Sequence, residues 1–159
     1  RVLTRLWPRI RERVPNARLI VAGWNSERVL GRYFPLEGAT LQGEFNHPEE
    51  FFSGIGVLLY PPARGSGCKI KVMEAMAYGI PVVSNEEGLE GLRMPPALRE
   101  LMASETDEGL IERTTALLDD LALRRRVSEE GRQLILDEYS PGPAVDRLLA
   151  AYEAVGLAA

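Results

Sequence analysis

The chain has 159 residues, enough for one domain with a proper core, with 45% hydrophobic and 26% charged residues as in ordinary globular proteins. A formal net charge of -4 and a pI near 5.2 exclude the basic stripe that a nucleic-acid backbone requires, so a bound phosphate would belong to a small ligand. One cysteine, Cys68, excludes an internal disulfide and a zinc cluster and fits a reducing, cytoplasmic compartment, while the apolar runs stop short of a spanning helix or secretory leader.

Leu3, Leu6, Trp7, Ile10 and Val14 recur at helical spacing between arginines, which predicts a helix over 2–14 ended by Pro15-Asn16. The near-continuous apolar run ARLIVAG (17–23) suits a parallel strand buried on both faces. A weak helix over 26–33 and a short strand over 40–45 follow. At His47-Pro48-Glu49-Glu50 a helix begins. His47 or Asn46 can cap it, proline fits the first turn, and the glutamates favour its positive end. Capping or surface exposure thus accounts for the single histidine without catalysis.

IGVLLYPP (55–62) predicts a second buried strand, a helix follows over 68–78, and IPVVS (80–84) returns as a strand. Leu98 to Ala103 is expected to add a last short strand. From Thr106 the pattern is helical, with stripes at Leu110, Ile111, Leu117, Leu118 and Leu121, then Val127, Leu134 and Ile135. Ser140-Pro141 opens a final helix carrying Leu148, Leu149, Tyr152 and Val155. Strands separated by helices imply a single α/β domain over 1–159, a parallel sheet with helices on both faces.

The segment RGSGCKIKVMEAMAYGIPVVSN (64–85) concentrates glycine and positive charge where a strand gives way to a helix. Ligands gather at such places in doubly wound sheets. Gly65 and Gly67 let an anion approach the backbone, helix-start N–H groups point toward it, and Arg64, Lys69 and Lys71 can add charge-assisted contacts. Helical spacing puts Ile70, Met73 and Ala77 on the sheet side, flanked by Val72 and Met76, and Lys71, Glu74, Ala75 and Tyr78 on another. Glu74, about one turn on, can accept hydrogen bonds from two vicinal ribose hydroxyls. Phosphate at the loop and ribose at Glu74 together spell a nucleotide. A solvated turn with an exposed Lys71–Glu74 ion pair is the plainer alternative. Neither G-x-G-x-x-G nor G-x-x-x-x-G-K-S/T is matched.

GSGCKIKVMEAMAYGIPVVSNEEGLEGL (65–92) resembles the donor-binding half of retaining glycosyltransferases of the GT-B fold, family four, the glycosyl transferases of group 1. The match runs from Lys71-Val72-Met73-Glu74-Ala75-Met76-Ala77 through Tyr78-Gly79-Ile80-Pro81-Val82-Val83. PNARLIVAGW (15–24), GEF (43–45) and EEGRQLILDEYS (129–140) extend it over almost the whole chain. The resemblance implies a Rossmann-like fold and transfer of a hexosyl group from a UDP- or GDP-sugar with retained configuration, generally without metal. It implies that Glu74 holds the donor ribose and that Gly65, Ser66, Gly67 and Cys68 surround the donor sugar and diphosphate, with Lys71 and Arg64 nearby. Gly43, Glu44 and Phe45 would line the base, and Glu87, Gly88 and Glu90 belong to a loop facing the cleft. No general base is assigned.

Two departures carry consequences. Many members have a glutamate eight residues before the ribose one; Ser66 stands there instead, so its carboxylate contacts to the hexose are absent, as in a G-S-G subgroup. The family's N-terminal acceptor domain, first donor-domain strand and basic diphosphate pair would all precede Arg1. The chain is therefore expected to need a second chain or a preceding portion, and to turn nothing over alone. Oligomerisation is a further option. Alternatives are a non-catalytic nucleotide-binding module, a sugar-nucleotide epimerase, or an assembly domain docking a partner around Leu3 and Trp7.

Overall fold

The computed structural model describes residues 1–63 and 69–156. The arginine-spaced pattern folds as a π-helical turn, Val2–Leu6, running into α1, Trp7–Arg13. Leu6, Trp7 and Ile10 enter the core, and the Trp7 indole donates to the Glu37 carbonyl at 2.9 Å. Trp7 is therefore not part of a docking surface; the helical stripe that suggested one is the inner stripe. Next come β1 (Leu19–Val21), α2 (Ser26–Leu30) with a 3-10 turn to Tyr33, and β2 (Ala39–Leu41). β1 and β2 pair in parallel, with Leu19 opposite Ala39.

α3 (Pro48–Phe52) starts with proline and two glutamates as expected. His47 takes the N-cap position in extended backbone, although its imidazole makes no capping hydrogen bond. β3 (Leu58–Leu59), α4 (Ile70–Ala77) and β4 (Val82–Val83) then form a β-α-β unit whose strands pair in parallel. The YGIP stretch explains how α4 turns into β4. Gly79 sits at φ +73°, its N–H reaches the Met76 carbonyl at 2.9 Å, and Ile80 N–H reaches the Ala75 carbonyl at 2.8 Å. Those two bonds close the helix end, and Pro81 prevents its continuation.

Residues 98–103 do not form the expected strand. They belong to α5, Pro96–Met102, because Pro96 starts a helix and Leu98 and Met102 then fall four apart on its buried side. Ala103 alone contributes a parallel bridge, to Ser84. α6 (Asp107–Asp119) and α7 (Leu121–Tyr139) begin at side-chain caps, Thr106 accepting from Gly109 N–H at 3.1 Å and Asp120 from Leu123 N–H at 2.9 Å. α8 (Pro141–Ala154) closes the described chain with Val145, Leu148, Leu149 and Tyr152 exposed.

The result is a mixed α/β fold, Rossmann-like, with short parallel sheets flanked by helices and a helical C-terminal segment. The core is contiguous and centred on β4, α4 and α6. Ion pairs tie α1 and the turn before it to α6: Arg1 and Arg5 reach Asp107 at 2.7 and 2.6 Å, and Arg9 and Arg13 share Glu108. The hydrogen bond from Arg1, backed by the charges of Arg5 and Arg9, holds the Asp107 carboxyl below its ordinary range. Hydrogen bonds from Arg13 and Arg9 do the same to Glu108. Among the described residues no helix is long and apolar enough to cross a membrane.

Candidate functional site

β1 and β3 do not pair with each other. Between them lies a cavity of about 820 Å³, walled by Leu19–Gly23 on one side and Leu58–Tyr60 on the other. Arg1, Val2, Leu3 and Thr4 contribute to the same wall. Trp24, Glu44 and Phe45 line it just beyond the carboxyl ends of β1 and β2, and α4 contributes Lys71 and Glu74. Side chains following several strands thus converge on one cleft at the strand ends, where open α/β sheets present ligand-binding groups.

α4 aims its polar groups there because its opposite side is committed to packing. Val72, Ala75 and Met76 are buried, and Met76 lies against Gly131 of α7. The expected inner stripe of Ile70, Met73 and Ala77 is corrected by this: Ile70 and Ala77 are exposed and Met73 is half-buried, while Ala75, expected beside Lys71 and Glu74, is fully buried with the flanking Val72 and Met76. Both sets have helical spacing, so periodicity alone did not fix the rotation. Lys71 and Glu74 remain on the cavity side under either choice. The Lys71 ammonium sits 4.8 Å from the centre of the Tyr60 ring. The plainer alternative of a Lys71–Glu74 ion pair is not found, and neither has an ion-pair partner among the described residues.

At the base-side end, Gly23 N–H donates to the Gly43 carbonyl at 3.2 Å, carrying the β1–β2 ladder one step past both strands. Glu44 and Phe45 follow directly. The Phe45 ring packs at 5.4 Å on Phe51, which packs at 5.4 Å on Phe52, which stacks at 5.1 Å on Tyr78, the C-cap residue of α4. An aromatic row therefore links the 43–45 segment to the glutamate-bearing helix. Its contacts fix their relation through packing rather than loop chemistry.

Arg64, Gly65, Ser66, Gly67 and Cys68 lie outside the described residues. Their flanks are held by one segment, 84–90. Ser84 Oγ donates to the Tyr60 carbonyl, Asn85 Nδ2 donates to the Pro62 carbonyl at 2.9 Å, and Asn85 Oδ1 accepts from Gly88 N–H at 3.2 Å. Each such neutral bond contributes about 0.5–1.5 kcal/mol net. Gly88 is required by space: a Cβ there would lie 1.9 Å from Ser84 Oγ and 3.0 Å from the Tyr60 carbonyl oxygen. On the other flank Lys69 Nζ pairs with Glu90 at 3.5 Å. Gly88 and Glu90 therefore meet the loop's flanks rather than the cavity wall, and Glu87 is half-buried beside them.

Ser84, Asn85 and Trp24 were not singled out in the sequence. Asn85 carries a usable signal, an asparagine between a strand and Glu86-Glu87-Gly88, where its side chain can cap a turn. Trp24 carries a weaker one, a tryptophan after the glycine that ends a strand.

A family model described as glycosyl transferases group 1 matches residues 1–120. The chain is also 29% identical over 143 residues to an alpha-D-kanosaminyltransferase of Streptomyces kanamyceticus, an alignment covering 82% of this chain and 34% of that protein. The chain thus spans about a third of the length of this curated relative.

Proposed function

Because the chain belongs to the glycosyl transferases group 1 family, we propose that it is the donor-binding domain of a retaining glycosyltransferase that draws on a nucleotide-sugar such as a UDP- or GDP-hexose. One observation carries the proposal: Glu74 and Lys71, without ion-pair partners among the described residues, face the same strand-end cavity as Glu44 and Phe45. Glu74 accepts the ribose hydroxyls and Lys71 meets the diphosphate together with Arg64 and the loop Gly65, Ser66, Gly67, Cys68. Gly43, Glu44 and Phe45 border the base, and Glu90 steadies the loop through Lys69. The domain's part in catalysis is to orient the donor and to stabilise the departing diphosphate with fixed positive charge and backbone N–H groups.

The cavity also bears on what completes the enzyme. Placing a strand between β1 and β3 needs two spacings of about 4.8 Å, and the facing edges of both strands are free to accept it among the described residues. A parallel strand preceding Arg1, joined to an acceptor-binding domain, fills that gap and covers the apolar walls. The strand and acceptor domain come from a preceding portion of the same polypeptide or from a second chain. Residues 1–159 alone then turn nothing over.

Calorimetric titration of UDP and GDP into the intact protein, wild type beside Glu74→Ala, tests the assignment. A lost charge-assisted contact of about 1.5–3 kcal/mol predicts at least about tenfold weaker binding in the variant. Absence of binding by both nucleotides, or equal affinity in the two proteins, would overturn it.

A further inference from the structure

Trp24 is 77% exposed, an unusual state for the largest apolar side chain, whereas Trp7 is 4% exposed and hydrogen-bonded. Its position is set by the backbone on either side. Gly23 lies at φ +144° and Asn25 at φ +57°, both in the left-handed half of conformational space, so the chain turns sharply as β1 ends. Ser26 anchors the far side of the turn by donating to the Gln42 carbonyl at 2.7 Å. The indole is thereby projected from a turn fixed at both ends and lines the cavity together with Phe45, Glu44, Lys71 and Glu74.

An exposed apolar ring in a cavity that also holds carboxylates and an ammonium is poorly suited to a purely structural role, because it leaves a large apolar area wet. It suits a ligand with a planar apolar face and polar edges. Resting on the proposal that this cavity holds a nucleotide-sugar, we propose that Trp24 is the stacking platform for the donor's nucleobase. Glu44, which lines the same cavity, accepts from a base N–H, while Glu74 is left to the ribose. Stacking on an indole is tolerant of base identity and strengthens with ring area, so Trp24 favours a purine over a pyrimidine without reading its edge.

The test titrates GDP, UDP and inorganic pyrophosphate into the intact protein as wild type, Trp24→Ala, Trp24→Phe and Glu74→Ala. The expected result is about tenfold weaker GDP binding in Trp24→Ala, a smaller loss for UDP, an unchanged pyrophosphate affinity and near-complete recovery in Trp24→Phe. Unchanged GDP and UDP affinities in Trp24→Ala, with Glu74→Ala still impaired, would overturn the stacking role and leave the donor site standing. An equal loss for pyrophosphate would mean that Trp24 supports the fold of the site, and would overturn stacking too. A wild-type protein that binds neither nucleotide would remove both proposals.

Discussion

β1–β2 and β3–β4 are both short parallel pairs built from aliphatic runs, yet they are buried very differently. Val82 and Val83 of β4 are fully buried, with α4, α5 and α6 all packed on that strand. Every residue of β1 is half-buried and lines the cavity between β1 and β3. LIVAG and PVVS look alike as sequence. The difference lies in what covers them, and the site is placed where a closed, rigid half borders an open one. That border keeps Glu74 on a well-packed helix while leaving space for a ligand and for the strand proposed between β1 and β3.

The largest expected effect tests the closed half directly. Leu110→Ala on α6 empties a fully buried position and should cost about 3 kcal/mol, whereas Ile20→Ala on half-buried β1 should cost about 1 kcal/mol. Denaturant midpoints measure both, and equal costs would break the comparison. If the strand proposed to lie between β1 and β3 is present in the intact protein, the cost of Ile20→Ala rises toward that of Leu110→Ala there. Gly79→Ala comes next. Its φ of +73° and a Cβ placed 3.2 Å from Ser128 Oγ predict a loss of about 1–2 kcal/mol, against about zero stability change for Gly43→Ala, where a Cβ meets nothing within 4 Å.

The smallest effect sharpens the comparison at its edge, where the first helical segment is clamped to α6. Asp107 and Glu108 have folded-state values lowered from 3.8 and 4.5, so their contribution is present above those values and is lost as pH falls through the lower folded ones. The melting temperature should therefore drop more between pH 7 and pH 3 in wild type than in Asp107→Asn. A variant whose acid sensitivity matches wild type would remove Asp107 from the clamp.

Much of this architecture was legible in the residues. Pro48 and Pro141 marked helix starts, and the EAMAYGIPVV stretch spelled helix then strand, whereas the break at Asp120 was missed because Leu121, which opens α7, fits the stripe of α6. Residues 98–103 misled because LRELM carries apolar residues that fit either a short strand or one helical turn, and the preceding prolines decide for the helix. The rotation of α4 was ambiguous for a similar reason: stripes 70/73/77 and 72/75/76 share one period, and α7 selects the second by packing on it. Glu74, Lys71, Glu44 and Phe45 were placed together by motif resemblance, and their common cavity follows from strand order. The Asn85 turn with Gly88 is local and left a signal, whereas the bracing from Ser84 and Asn85 to the Tyr60 and Pro62 carbonyls was invisible because it joins residues more than twenty positions apart.

The most direct measurement of the central claim is a binding cycle on the intact protein. UDP, GDP and their 2′,3′-dideoxy counterparts are titrated into wild type and Glu74→Ala. If Glu74 holds the ribose, removing either the carboxylate or the hydroxyls weakens binding by about tenfold or more, and removing both costs little beyond either alone. Losses that simply multiply, or a Glu74→Ala protein that binds every nucleotide like wild type, would contradict the account.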